Sequence, residues 1–135
     1  MQQTNIRHGD FDLKVVNHVL VARLRGSWNE EAALAYENAF MTAAKPLTDI
    51  EWAHLVYLDD WDLGVPEIVP VVERLVGWCI DNGLRRSAQV YSPSMLKRYQ
   101  LDSMVVEEFG DFQRRAFEQE GAAKNWLLSE GFSVD

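Results

Sequence analysis

Several features that mark common function classes are scarce or missing in this 135-residue chain. Cysteine occurs once, as Cys79 inside an apolar run, so no intramolecular disulfide can form and a reducing compartment suits the chain. Nothing electropositive neighbours Cys79 in sequence, so it reads as a buried structural thiol. Lys and Arg number 13 against 21 Asp and Glu, a net charge of −8. That balance argues against nucleic acid, because phosphate binding needs concentrated cations. It also argues against a generally basic, membrane-hugging surface. No uncharged apolar run approaches the roughly 20 residues of a membrane span. Residues Met1–Arg7 hold no apolar signal core. The expectation is a soluble, cytoplasmic protein.

Other absences narrow the chemistry. There is no GxGxxG or GxxxxGKS/T loop, so nucleotide binding is not indicated. His8, His18 and His54 lie far apart without HxxxH or HxH spacing, which speaks against a shared zinc site. Neither His18 nor His54 has a Ser or Cys partner suggested by sequence, so a hydrolase triad is unsupported and both read as structural histidines. No cofactor is expected. Arg85-Arg86, Lys97-Arg98 and Arg114-Arg115 are basic pairs, but acids are interleaved and they read as solvated faces.

What is present is a hydrophobic content of 47% with no repeat or linker, which fits one domain over 1–135 with its core at about 11–130. Residues 11–16 and 19–25 form a hairpin turned at Asn17-His18 and closed by Gly26. Ser27 and Glu30 fit a capping box opening a helix to about Ala44, ahead of Pro46. Trp52–Leu58 is a strand apolar enough to be buried on both faces. A second helix runs from about Pro66 to Asp81, with Pro70 predicting a distorted first turn or a kink. Ser87–Tyr91 is a strand. A third helix runs from Met95 to about Glu108 with Met95, Leu96, Tyr99, Val105, Val106 and Phe109 on one side. Residues 113–117 form a last strand and 122–130 a closing helix. The order β-β-α-β-α-β-α-β-α demands right-handed crossovers and a five-stranded, mostly parallel mixed sheet with about four helices.

The order and spacing of three stretches carry a resemblance: Leu58-Asp59 followed by Leu63-Gly64-Val65-Pro66-Glu67; Gly77-Trp78 through Gly83-Leu84 into Ala88-Gln89-Val90; and Phe117 followed by Ala122-Ala123 and Trp126-Leu127. Over about residues 11–128 the chain resembles the SpoIIAA-like branch of the STAS domains. The resemblance implies a single α/β SpoIIAA-like domain and a bacterial protein-interaction or small-ligand module, not a catalyst. Members on the lipid-exchange side of the fold group imply small lipophilic ligands and transient membrane contact. The chain departs from the anti-anti-sigma pattern in one respect. That pattern places an acceptor serine in an Asp-Ser-Ser/Thr-Gly motif after the third strand, and here no serine lies between Ser27 and Ser87. A phospho-acceptor role is not carried over, which leaves an anti-sigma-type regulatory partner only as an alternative.

The strand end itself, Asp59-Asp60-Trp61-Asp62-Leu63-Gly64, sits where open α/β sheets place their sites. Asp60-Trp61-Asp62 is similar to the Asp-x-Asp of haloacid-dehalogenase phosphatases, which makes a Mg²⁺-dependent phosphohydrolase the alternative from another class. Gly64 stands where that motif has Thr or Val, and turn formation and helix capping explain the acids. From Pro46 to Glu73 there are seven acids and no Lys or Arg, a rim suited to a basic partner if it is functional. Trp61, between acids, is expected in a loop, where it could line a pocket, anchor a partner or dip into a membrane interface. The reading is a non-enzymatic binding module for a small lipophilic molecule or a protein partner. Its site is expected on Asp59, Asp60, Trp61 and Leu63 with the inner sides of Pro66–Val72, through Pro66 and Val69, and of Met95–Tyr99. Those two helices would be movable walls. A homodimer stays open.

Overall fold

The computed structural model describes residues 8–135, so the expectation for Met1–Arg7 lies outside it. Strands β1, Asp10–Val16, and β2, Val19–Trp28, pair antiparallel around Asn17, which turns at a φ of 54°. Asparagine tolerates that left-handed conformation. β2 does not stop at Gly26. It bends there and continues to Trp28, whose indole donates to the Arg25 carbonyl at 2.9 Å. The extra strand residues displace the expected cap: Asn29, not Ser27, accepts from the Ala32 amide at 3.0 Å and opens helix α1, Glu30–Ala44.

Strand β3 spans Trp52–Tyr57 and helix α2 spans Ile68–Asp81. Between them lies β4, Trp61–Gly64, which the periodicity did not disclose. Pro70 is the third residue of α2, where an amide has no intrahelical acceptor, so the helix runs on from there. The distortion falls just before it, in tight turns that bring the Ile68 amide to the Val65 carbonyl and the Val69 amide to the Pro66 carbonyl, both at 3.1 Å. Strand β5, Leu84–Val90, precedes helix α3, Met95–Met104. β6, Glu108–Phe109, β7, Phe112–Phe117, and α4, Glu120–Ser129, complete the chain.

Helix α3 ends four residues short of the expectation. Arg114 explains the stop: it is buried, and its guanidinium donates to the carbonyls of Val105 and Val106 at 3.1 and 3.4 Å, holding residues after Met104 extended. Expected on a solvated face, Arg114 instead binds inside the fold. It also meets Asp102 at 2.9 Å and the Gln89 amide oxygen at 3.2 Å.

The strands lie in the order β1-β2-β3-β5-β7-β6, and β4 pairs with β2 off that path. The pairs β2–β3, β3–β5, β5–β7 and β2–β4 are parallel, while β1 and β6 are antiparallel edges. The sheet is thus a mixed one of seven strands, not five; the two missed strands are four and two residues long, too short to show a period. Helices α1, α2 and α3 supply the core on one face with Leu20, Ala22, Trp52, Val56 and Phe112 of the sheet. On the other, Ala123, Trp126 and Leu127 of α4 pack on Val19, Val21, Ala53, Leu55, Ala88 and Val90. No helix among the described residues is long and apolar enough to cross a membrane.

Candidate functional site

Alternation along β3 decides which side chains can form a site. Trp52, His54 and Val56 share the face toward α1 and α2, and Ala53, Leu55 and Tyr57 share the other. On the first face a cavity of about 90 Å³ lies between the sheet and three helices. The sheet contributes His54, Val56 and Leu58 after β3, Trp61 of β4, and Ser87 and Gln89 of β5. Helix α2 turns Ile68, Val72, Leu75, Val76 and Cys79 toward it, at the spacing of one helical stripe. Tyr36 and Phe40 of α1 and Leu101 and Met104 of α3 close the remaining walls.

The walls are almost wholly apolar, and the exceptions carry the chemistry. His54 stands edge-on to Phe40, with ring centroids 5.1 Å apart at 87°. Its Nδ1 lies 3.2 Å from the Ser87 hydroxyl. Its Nε2, and Nε1 of Trp61, are buried without a hydrogen-bond partner among the described residues. Desolvation lowers the His54 pKa from 6.5 to about 4, so its imidazole is neutral near pH 7. Burial pushes the Cys79 thiol up, which makes it an inert wall of the cavity.

The acidic rim has a different task. The Asp59 carboxylate accepts from the Ser92 amide at 2.7 Å and ties the end of β3 to the loop after β5. Lys97 of α3 donates to the carbonyls of Leu58 and Asp59 at 2.8 and 2.9 Å. Gln100 grips Gly64 at both backbone groups, accepting from its amide at 2.8 Å and donating to its carbonyl at 2.7 Å. A Cβ at position 64 would collide with Ile68, so only glycine lets β4 pass so close to α2. Leu63 beside it holds a φ of 74°, a strained conformation for leucine.

The structure separates the residues expected to form one rim. Asp60 is exposed, while Trp61 is only 2% exposed and turned into the core. Its loop placement is thereby corrected: pairing of β4 with β2 alternates the side chains, so Asp60 and Asp62 face out where Trp61 faces in. Leu63 and Val69 pack half-buried against the core, and Pro66 is exposed. Met95 and Tyr99 are not on an inner side of α3; they are 89% and 78% exposed, with Leu96 between them at 68%. Leu101 and Met104 are the residues α3 buries. His54 and Gln100 were missed as site residues, and only the alternation Trp52-His54-Val56 signals the first of them. Among the described residues no three His, Cys, Asp or Glu side chains gather closely enough to hold a metal ion.

Known structures share this fold. An uncharacterised protein from Shewanella loihica, described as having a SpoIIAA-like fold, superposes with a TM-score of 0.67 over 94% of this chain and 99% of its own, at 14% identity. The fold is SpoIIAA-like. An anti-sigma factor antagonist from Mycobacterium paratuberculosis matches with a TM-score of 0.59 at 11% identity, covering 95% of this chain and 99% of its own. The unphosphorylated form of the anti-sigma factor antagonist SpoIIAA matches with a TM-score of 0.53 at 18% identity, over 91% of this chain and all of its own, 100%. Neither a protein-family model nor a curated protein sequence matches the chain. In this SpoIIAA-like domain the segment from Leu58 to Glu67, between β3 and α2, holds no Ser or Thr.

Proposed function

We propose that this domain is a non-enzymatic binding module that holds a small lipophilic molecule between the sheet and helices α1–α3. The single observation that carries the reading is the apolar cavity beneath α2 and α3. Small-molecule sites are usually apolar concavities with a few polar groups, and at about 90 Å³ this one takes only a few atoms unless a wall moves. Helix α3 suits a movable wall, since it buries only Leu101 and Met104 and is held to the sheet by the polar grips of Lys97 and Gln100. A cytoplasmic setting belongs to the same proposal.

Native mass spectrometry of the protein as purified from cells tests it. The expected result is a mass above that of the polypeptide, lost on organic extraction and restored by adding the extract. A bare polypeptide that no extract or hydrophobic dye shifts would sink the reading.

A protein partner is the second reading, favoured by the outer face of α3. Met95, Leu96 and Tyr99 form an exposed apolar stretch there, and two of the similar structures are anti-sigma factor antagonists. The same measurement would then show a protein adduct or a homodimer that Met95→Asp removes. An adduct untouched by that substitution would dismiss this face.

A further inference from the structure

Strand β1 is one edge of the sheet: among the described residues, β2 is its one strand neighbour. Its seven residues include no proline, and the ladder to β2 runs through them without a bulge. Devices that usually blunt an open edge are therefore few here. The other exposed strands are short or occupied: β6 has two residues, and Gln100 sits against Gly64 of β4. The chain enters β1 from His8, whose carbonyl accepts from the Asn29 amide at 3.2 Å. Residues 8–9 thus continue the line of β1 beside the end of β2, and do not run along its outer side.

The outward backbone groups follow from β2. Its His18 carbonyl accepts from the Ala53 amide at 2.9 Å, so even-numbered residues of β2 address β3 and odd-numbered ones address β1. Asp12 and Lys14, opposite Arg23 and Val21, bond inward, and Leu13 and Val15 turn amide and carbonyl outward. A second β1 meets these groups antiparallel about a two-fold axis at Leu13, where Leu13 exchanges both hydrogen bonds with its own copy. Asp12 then faces Lys14 of the second copy, and Lys14 its Asp12, as non-hydrogen-bonded pairs with Cα atoms about 4.5 Å apart. Moving the axis to Asp12 or to Lys14 sets that residue against itself, and like charges directly opposite are destabilising. Lys14 makes no ion pair among the described residues. Asp12 shares Arg25 with Asp10, at 2.8 and 3.1 Å, so the lysine of a second copy adds a cation beside two carboxylates. On the opposite face Val15, 42% exposed, comes to lie across from Phe11 of the second copy. We propose that a second copy of this chain docks on β1 and joins the two sheets into one across a two-fold axis at Leu13. Such an interface is isologous and closes at two subunits. It is independent of the cavity and of any guest in it.

Sedimentation of the full chain over a concentration series, combined with amide exchange, tests this. A dimer is expected. The Leu13 and Val15 amides should gain protection as it forms, while that of Lys14, bonded to β2, is protected throughout. Lys14→Asp, at an exposed position, should weaken the dimer about 10-fold or more by setting Asp against Asp twice. Adding Asp12→Lys to Lys14→Asp should restore most of that loss, since the charges again alternate across the axis. A monomer at every concentration, or a dimer that Lys14→Asp leaves unchanged, would overturn the proposal. A dimer that Met95→Asp removes while the β1 amides stay unprotected would overturn it too, and would place the interface on α3.

Discussion

The two faces of the sheet solve the same packing problem differently. Toward α4 the sheet presents Val19, Val21, Ala53, Leu55, Ala88 and Val90, small or branched side chains that let one helix settle closely. Toward α1 and α2 it meets large rings: Trp28, Tyr36, Phe40 and Trp52 succeed one another at interplanar angles of 44° to 72°. Tilted rings are favourable pair by pair, but they do not tile a volume. The void and the unpartnered polar atoms are on that face. A tightly filled face stabilises the domain, and a loosely filled one leaves it room for a guest.

That contrast can be broken by measurement. Leu127→Ala on the tight face should cost the most, about 2–5 kcal/mol in urea unfolding, because Leu127 is fully buried among the small and branched side chains of that face. A loss under 1 kcal/mol would mean the α4 face is no better packed than the other. The next effect is one of pH. His54 has a folded pKa of about 4 against an ordinary 6.5, so its contribution is complete above 6.5 and fades as pH falls toward 4. Between those values the unfolded chain takes up the proton and the folded one does not, which gives a slope of up to about 1.4 kcal/mol per pH unit. Unfolding curves at several pH values should show that slope, and His54→Asn should remove it. A slope that survives the substitution would assign it to other groups.

Small-to-large changes compare the faces directly. Ala88→Val, against α4, should cost about 1–3 kcal/mol by overpacking, whereas Val72→Leu, into the cavity, should change stability by less than about 0.5 kcal/mol. Equal penalties would show that the cavity wall does not yield. Gln100→Ala, which removes two hydrogen bonds from Gly64, should cost about 1–2 kcal/mol, less than Leu127→Ala. Amide exchange should speed up in α3 and not in α4; uniform acceleration would mean that α3 does not open on its own.

Much of the fold was legible because long elements repeat their periods. Strands β2 and β3 and the stripe of α2 announced themselves through their Val, Leu and Ile residues, and the turn at Asn17 through its side-chain chemistry. The site was less legible for a physical reason. Trp61 between two aspartates looks like a loop residue, yet four residues of pairing with β2 suffice to turn it inward. Met95 and Tyr99 share a helical side with core-like residues, but α3 turns Lys97, Gln100, Leu101 and Met104 inward and leaves those two outside. His54 could be placed on a face only by knowing which helices cover that face.

Gln100 has a consequence for the molecule in a crowded solution. The backbone of Gly64 that points away from β2 is the kind of free strand edge on which another chain can dock. A side-chain amide has the same donor and acceptor as a peptide group, and Gln100 sets both against that edge. The protein thereby pairs the strand with itself, and a polymerising neighbour finds the position taken.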